Sequence, residues 1–153
     1  PGGLDATPRG DPAGFVAVLD EATLFMPDRR GNNRIDSLLN VVGDPRVGLL
    51  FMVPGVNETL RVNGRARITA DPALLAPHAI DGKVPVTGLV IAIEAVYFQC
   101  SRALHRSKLW DPSSLRQRSE LPSPGQMLKG AKASFPAEDY DRALPERVRT
   151  TLY

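Results

Sequence analysis

The chain has 153 residues, enough for one domain with a real hydrophobic core and few for two. Its 19 Lys+Arg against 17 Asp+Glu leave a formal charge of +2, and without a basic run that surplus argues against non-specific nucleic-acid binding. The lone cysteine, Cys100, cannot form an internal disulfide and has no neighbour at metal-ligand spacing, while no apolar stretch reaches the ~20 residues of a membrane-spanning helix. A single cytoplasmic domain over 1–153 is therefore expected, with 113–153 as a helical or irregular extension. The glycine-rich start at Pro1 carries no signal-peptide core, and residues upstream of it are expected.

Two short apolar runs, Phe15 to Leu19 and Thr23 to Met26, flank Asp20-Glu21-Ala22 and predict a hairpin. Ile35, Leu38, Leu39 and Val42 recur at helical spacing. They predict one buried stripe on a short helix, started by an Asn32 or Asn33 cap and ended by Gly43-Asp44-Pro45. The continuous run Val47 to Val53 predicts a strand buried on both faces and turned by Pro54-Gly55. From Thr59 to Thr69 the pattern alternates, with Leu60, Val62, Ala66 and Ile68 on one side and Thr59, Arg61, Asn63, Arg65 and Arg67 on the other. Gly64 interrupts the apolar side and marks either a bulge or the close approach of a ligand. Leu89 to Cys100 reads as another strand, Ser101 to Leu109 as a short helix, and helical turns fall at Pro124 to Lys129 and Ala137 to Leu152. Five or more closely spaced strands with few helices predict a mainly β fold built on a small antiparallel barrel.

The chemistry concentrates in PDRRGNNRIDSLL, from Pro27 to Leu39. A glycine-asparagine loop with three arginines enters a helix, so backbone N–H groups, amides and guanidinium groups converge where a phosphate is best held. The plainer reading of GNNR is a turn with a helix cap. Arg65 and Arg67 read as a solvated sheet face, and Arg61 reads equally as surface or as ligand contact. His78 and His105 have no carboxylate or cysteine at a ligand-like spacing, and Cys100 reads as an inert buried thiol. Trp110 is a core or dimer-interface aromatic, or a cap over a bound ring delivered from a partner subunit.

GNNRIDSLLNVVGDPRVGLLF, then ETLRVNGRARIT, SRALHRSKLWDP and a final PERVRTTLY, together resemble the flavin mononucleotide (FMN)-binding split-barrel proteins of the pyridoxamine 5′-phosphate oxidase-like superfamily, in a bacterial branch distinct from the true oxidases. The resemblance implies a split, Greek-key-like antiparallel β-barrel with a few short helices, and a homodimer with the cofactor at its interface. It implies a phosphate grip at Asn33 and Arg34, with Arg29, Arg30 and Asn32 nearby. The flavin ring and ribityl chain are expected against main-chain groups of Thr7, Pro8, Arg9 and Gly10 and of Met26, Pro27 and Asp28, with Thr59 reaching the flavin and Arg61 and Trp110 as further contacts. True oxidases carry an arginine-lysine pair at the helix start and a glutamine on the later strand, where this chain has Asn33-Arg34 and Thr59.

No Ser/His/Asp set, paired carboxylates or Walker loop can be assembled from the chain, which fits a cofactor enzyme whose flavin moves the electrons. An FMN-dependent oxidoreductase acting on a small molecule with a separate electron donor is thus expected. The alternatives are a deazaflavin (F420)-dependent reductase and a non-catalytic barrel that stores flavin or haem. Nucleic acid ranks last, because the basic face from Thr59 to Arg67 has no aromatic for base stacking.

Overall fold

The computed structural model describes residues 5–31 and 34–153. Five antiparallel strands form one sheet in the order β1-β2-β5-β4-β3: β1 Ala17–Asp20, β2 Thr23–Asp28, β3 Arg46–Met52, β4 Thr59–Thr69 and β5 Thr87–Gln99. Helices α1 Asp36–Gly43, α2 Pro72–Leu75, α3 Arg102–Ser107, α4 Pro124–Ala131 and α5 Ala137–Thr151 complete it. The fold is mainly antiparallel β with short helices, the class expected. Among the described residues β1 and β3 are edge strands that do not pair with each other, so the sheet is open along that seam.

The hairpin closes at Ala22, whose N–H donates to the Asp20 carboxylate at 2.8 Å, a local bond that Asp favours in turns. On one face Leu24, Met26, Val62, Ala66, Leu89 and Ile91 form the main core, with Val47, Leu49, Phe51 and α1's Leu38 and Val41 packed against it. On the other, Phe25 and Val90 pack with Leu75 of α2. That helix was not anticipated, although Asp71 caps it and Pro72 occupies its first turn. A Cβ on Gly88 would lie 2.5 Å from the Phe25 ring, so this glycine makes room for the largest buried side chain.

Three expectations are corrected here. The strand at Val47 packs on one face only: Val47, Leu49 and Phe51 lie against the core, while the alternate residues face outward and are exposed, Leu50 at 58%. The buried face of α1 is Leu38 and Val41, whereas Ile35, Leu39 and Val42 point outward. The helix axis is rotated from the expected stripe because Val41 supplies the second core contact. The thiol of Cys100 is exposed rather than buried, because the chain has left the sheet after Gln99. The Asn32 or Asn33 cap lies outside the described residues, and Ile35 occupies the cap position.

Gly64 lies opposite a bulge in β5 and is also a point of close approach. The β4–β5 register shifts between Asn63 and Gly64, and a Cβ on Gly64 would meet the Ala92 carbonyl oxygen at 2.2 Å. The neighbour that demands glycine is the backbone of β5.

Candidate functional site

The site residues fall at the two ends of the sheet. At the exit of β2 the chain must leave the core through Asp28 and Arg29, and the segment from Asp5 to Asp11 crosses over it. Arg9 donates to Asp28 at 2.5 Å, with both side chains a quarter exposed. Arg29 Nε donates to Asp11 at 2.5 Å, and the Asp11 side chain is only 1% exposed. The Tyr153 hydroxyl donates to the other Asp11 oxygen at 2.9 Å, and its ring lies 5.7 Å from the Arg29 guanidinium. Lys83 donates to the main-chain oxygen of Tyr153 at 2.8 Å. At the start of this crossing Ser37 of α1 donates to Asp5 at 2.5 Å.

The environment tunes two groups. His78 stacks 4.9 Å from Phe25; burial, then the charge of Arg29, push its imidazole below its ordinary value, against an opposing pull from Asp11. The hydrogen bond to Asp11 and partial desolvation hold the Tyr153 phenol above its ordinary value.

The expected contacts are arranged unevenly here. Thr7, Pro8 and Gly10 are exposed on the crossing segment, and Arg9 is half-buried within it. Met26 and Pro27 are buried, Pro27 completely, so they can offer main-chain groups but no side chain. Beyond Phe25 the β1 pairing has ended, which leaves that edge of Met26 to Asp28 unpaired by any strand among the described residues. Asn32 and Asn33 lie outside the described residues. Arg34 sits 2.8 Å from Asp36, both side chains more than half exposed, in an ion pair at the start of α1. A carboxylate in that first turn competes with an incoming phosphate for the same field.

At the opposite end, Thr59, Arg61 and Asn63 share one face of β4. Thr59 is buried. The Arg61 guanidinium lies over the Tyr97 ring at 4.7 Å, and the Tyr97 hydroxyl accepts a 3.4 Å hydrogen bond from Asn63. Arg61 has no carboxylate partner among the described residues. Arg65 and Arg67 are exposed, Arg65 3.9 Å from Glu94, as a solvated face requires. Trp110 donates to the Val56 carbonyl at 2.8 Å, bracing the turn between β3 and β4 from within its own chain.

Strand β5 measures the separation. Asp28 pairs with Thr87 and Thr59 with Gln99, positions twelve residues apart, or roughly 40 Å along a strand. The structure thus joins Arg9 to Asp28 and groups Thr59 with Arg61, but does not bring the two groups together within one chain. One feature links them in kind. Among the described residues, the buried side-chain N or O atoms without a hydrogen-bond partner are Arg9 Nε and Arg61 Nε, one at each end.

A family model described as pyridoxamine 5′-phosphate oxidase matches residues 2–100. The chain belongs to this family. The match takes in the whole sheet, from β1 to the end of β5, and stops before α3. Similar solved structures include two crystal structures of HupZ from group A Streptococcus. One, of a single-substitution variant, is 19% identical and covers 56% of this chain and 73% of its own, with a TM-score of 0.46. The other is 15% identical and covers 55% and 68%, with a TM-score of 0.47. No curated protein matches the chain.

Asp11, Tyr97 and Tyr153 were not singled out by the sequence reading. Tyr97 could have been found from register, since it pairs with Arg61 across β4 and β5. Asp11 and Tyr153 stand 142 residues apart, and no local pattern joins them. Shallow clefts of about 490 and 360 Å³ line α4 and α5 and contain none of the expected contacts. No described helix is long and apolar enough to cross a membrane.

Proposed function

We propose that this member of the pyridoxamine 5′-phosphate oxidase family is an FMN-dependent oxidoreductase of the cytoplasm, a homodimer with its flavin held between the two copies. The observation that carries this reading is the pair of orphaned guanidinium nitrogens, Arg9 Nε and Arg61 Nε. A buried donor left unpaired costs about 1–3 kcal/mol, a cost that acceptor oxygens on a ligand remove. FMN fits these donors, since its phosphate brings about −1.5 to −2 charges near neutral pH. The half-buried Arg61, with Tyr97 beneath it and Thr59 and Asn63 beside it, suits that phosphate better than Arg34, which already faces Asp36. The two ends stand further apart than one flavin reaches, so a second copy has to bring its Arg9 end toward the Arg61 end of the first. The exposed Leu50, Met52 and Tyr97 on the face of Arg61 supply the apolar surface for that contact.

Bound FMN would accept a hydride or electrons from a small donor. The chain itself binds and orients. Arg61 would hold the phosphate, the unpaired edge of Met26 to Asp28 and the segment Thr7 to Gly10 would offer main-chain groups to the flavin, and Trp110 fixes the β3–β4 turn. The absorption spectrum of the protein as isolated tests this directly, with flavin bands expected. F420 or haem bands would replace FMN as the ligand, and protein that stays colourless after incubation with FMN would overturn the proposal. Bound flavin that no donor reduces would leave a flavin-storing barrel. Arg61→Ala is expected to weaken FMN by about ten- to a hundredfold while riboflavin, which lacks the phosphate, is nearly unaffected; equal losses of both would refute the phosphate assignment.

A further inference from the structure

After β5 the chain leaves the sheet at the Thr59 end, and Tyr153 brings it back to the Asp28 end. Helices α4 and α5 pack chiefly on each other, so this return is fastened by a few side chains. Tyr153 supplies three of the contacts: its hydroxyl to Asp11, its main-chain oxygen to Lys83 and its ring to Arg29. Asp11 is the shared acceptor, taking Arg29 Nε on one oxygen and the phenol on the other.

We propose that Tyr153 is a positioning residue, a latch that holds the crossing segment Thr7 to Asp11 against the exit of β2. Asp11 ends that segment, so the phenol fixes the stretch on which Thr7, Arg9 and Gly10 stand. The Arg29 charge, which would otherwise be buried beside His78 with one acceptor, is held between the carboxylate and the face of the Tyr153 ring. Opening the latch frees both the segment and the α4–α5 pair. This inference rests on the flavin reading only where it concerns the cofactor; the latch itself is a property of the chain alone.

Limited trypsin digestion of the flavin-free protein tests it, because cleavage after Arg9 requires the crossing segment to lift away. Tyr153→Phe removes only the hydroxyl, and a hydrogen bond to a carboxylate of ordinary strength makes opening about ten- to a hundredfold more frequent. Cleavage after Arg9 should accelerate by that factor in Tyr153→Phe and by at least that factor in Asp11→Ala, which also removes the acceptor of Arg29, and adding Tyr153→Phe to Asp11→Ala should bring no further gain, since the hydroxyl has already lost its acceptor. Cleavage of Tyr153→Phe at the parent rate, or additive effects in the double variant, would overturn the latch. If Asp11→Ala does not fold, Tyr153→Phe still decides. An FMN titration of Tyr153→Phe then separates the two readings. Faster cleavage with a matching loss of flavin affinity supports both, and faster cleavage with unchanged affinity keeps the latch and removes the flavin from the crossing segment.

Discussion

The two ends of the sheet hold arginines of the same kind in opposite circumstances. At the β2 exit, Arg9 meets Asp28 and Arg29 meets Asp11, and a tyrosine from far along the chain closes the set. At the Thr59 end, Arg61 is half-buried on an aromatic face with no carboxylate among the described residues, and the apolar side chains around it are open to solvent. One end pairs its arginines with carboxylates of the same chain and leaves over Arg9 Nε, while the other sets Arg61 on an aromatic face with no carboxylate beside it among the described residues. Stability should therefore depend on the first end and ligand or partner binding on the second.

Asp11→Ala should give the sharpest contrast. It leaves Arg29, 17% exposed, without its carboxylate, and breaking a buried pair costs about 3 kcal/mol. A domain of this length should then lose roughly 6–12 °C in melting temperature. Arg61→Ala should leave the melting temperature within about 1–2 °C of the parent. Comparable losses in the two variants, read by calorimetry, would erase the distinction between the ends.

A substitution at the open end tests the partner. Leu50 pairs with Arg61 and is 58% exposed, and if a second copy covers it, Leu50→Asp should weaken the dimer by about 2–3 kcal/mol without lowering the stability of the monomer. Sedimentation equilibrium would show a monomer at micromolar concentration for the variant and a dimer for the parent. A parent that is already monomeric with flavin bound would remove the interface from the reading.

Arg34→Ala should matter less than Arg61→Ala, because Arg34 is 71% exposed and shares its charge with Asp36. A loss of no more than about tenfold in FMN affinity is expected. A larger loss than at Arg61 would return the phosphate to the start of α1.

The smallest effect is pH-dependent. The imidazole of His78 is held below its ordinary 6.5 by burial and by Arg29, so as pH falls past that value the unfolded chain takes up a proton more readily than the folded one. Where the unfolded chain binds more protons than the folded one, lowering the pH favours the unfolded chain. Stability should therefore decline as pH falls below about 6.5, and His78→Gln should flatten that part of the profile in urea titrations at a series of pH values.

Much of the architecture was legible because it depends on local periodicity. The alternation from Thr59 to Thr69 and the run into Cys100 became β4 and β5 almost as read. Errors arose where burial depends on neighbours distant in sequence. Nothing local says that β3 lies at an edge, or that Val41 rather than Leu39 turns inward. Helix α2 was missed although Asp71-Pro72 announced it, because four residues are too few for periodicity to register. For the candidate site, Arg61 was legible as a charge at a strand position, but its pairing with Tyr97 needed the register. Asp28 and Arg9 were reached only through resemblance, and the Asp11–Tyr153 contact closes a gap that no sequence pattern spans.

The register shift beside Gly64 also acts as a change of phase. Before it, β5 sends Leu89, Ile91 and Ile93 to the main core face, opposite Ile68, Ala66 and Gly64. Glu94 is the extra residue, and after it Val96 and Phe98 take that face while Tyr97 moves beneath Arg61. Side chains alternate strictly along a strand, so one inserted residue exchanges the two faces from that point onward. The bulge therefore lets a single strand serve two masters, keeping its first half in step with the core while placing an aromatic under the arginine in its second. A regular β5 that kept Glu94 without the bulge would set Ala95 opposite Val62 and Val96 opposite Arg61, and turn the ring of Tyr97 away from the guanidinium with no change to any residue of the site itself.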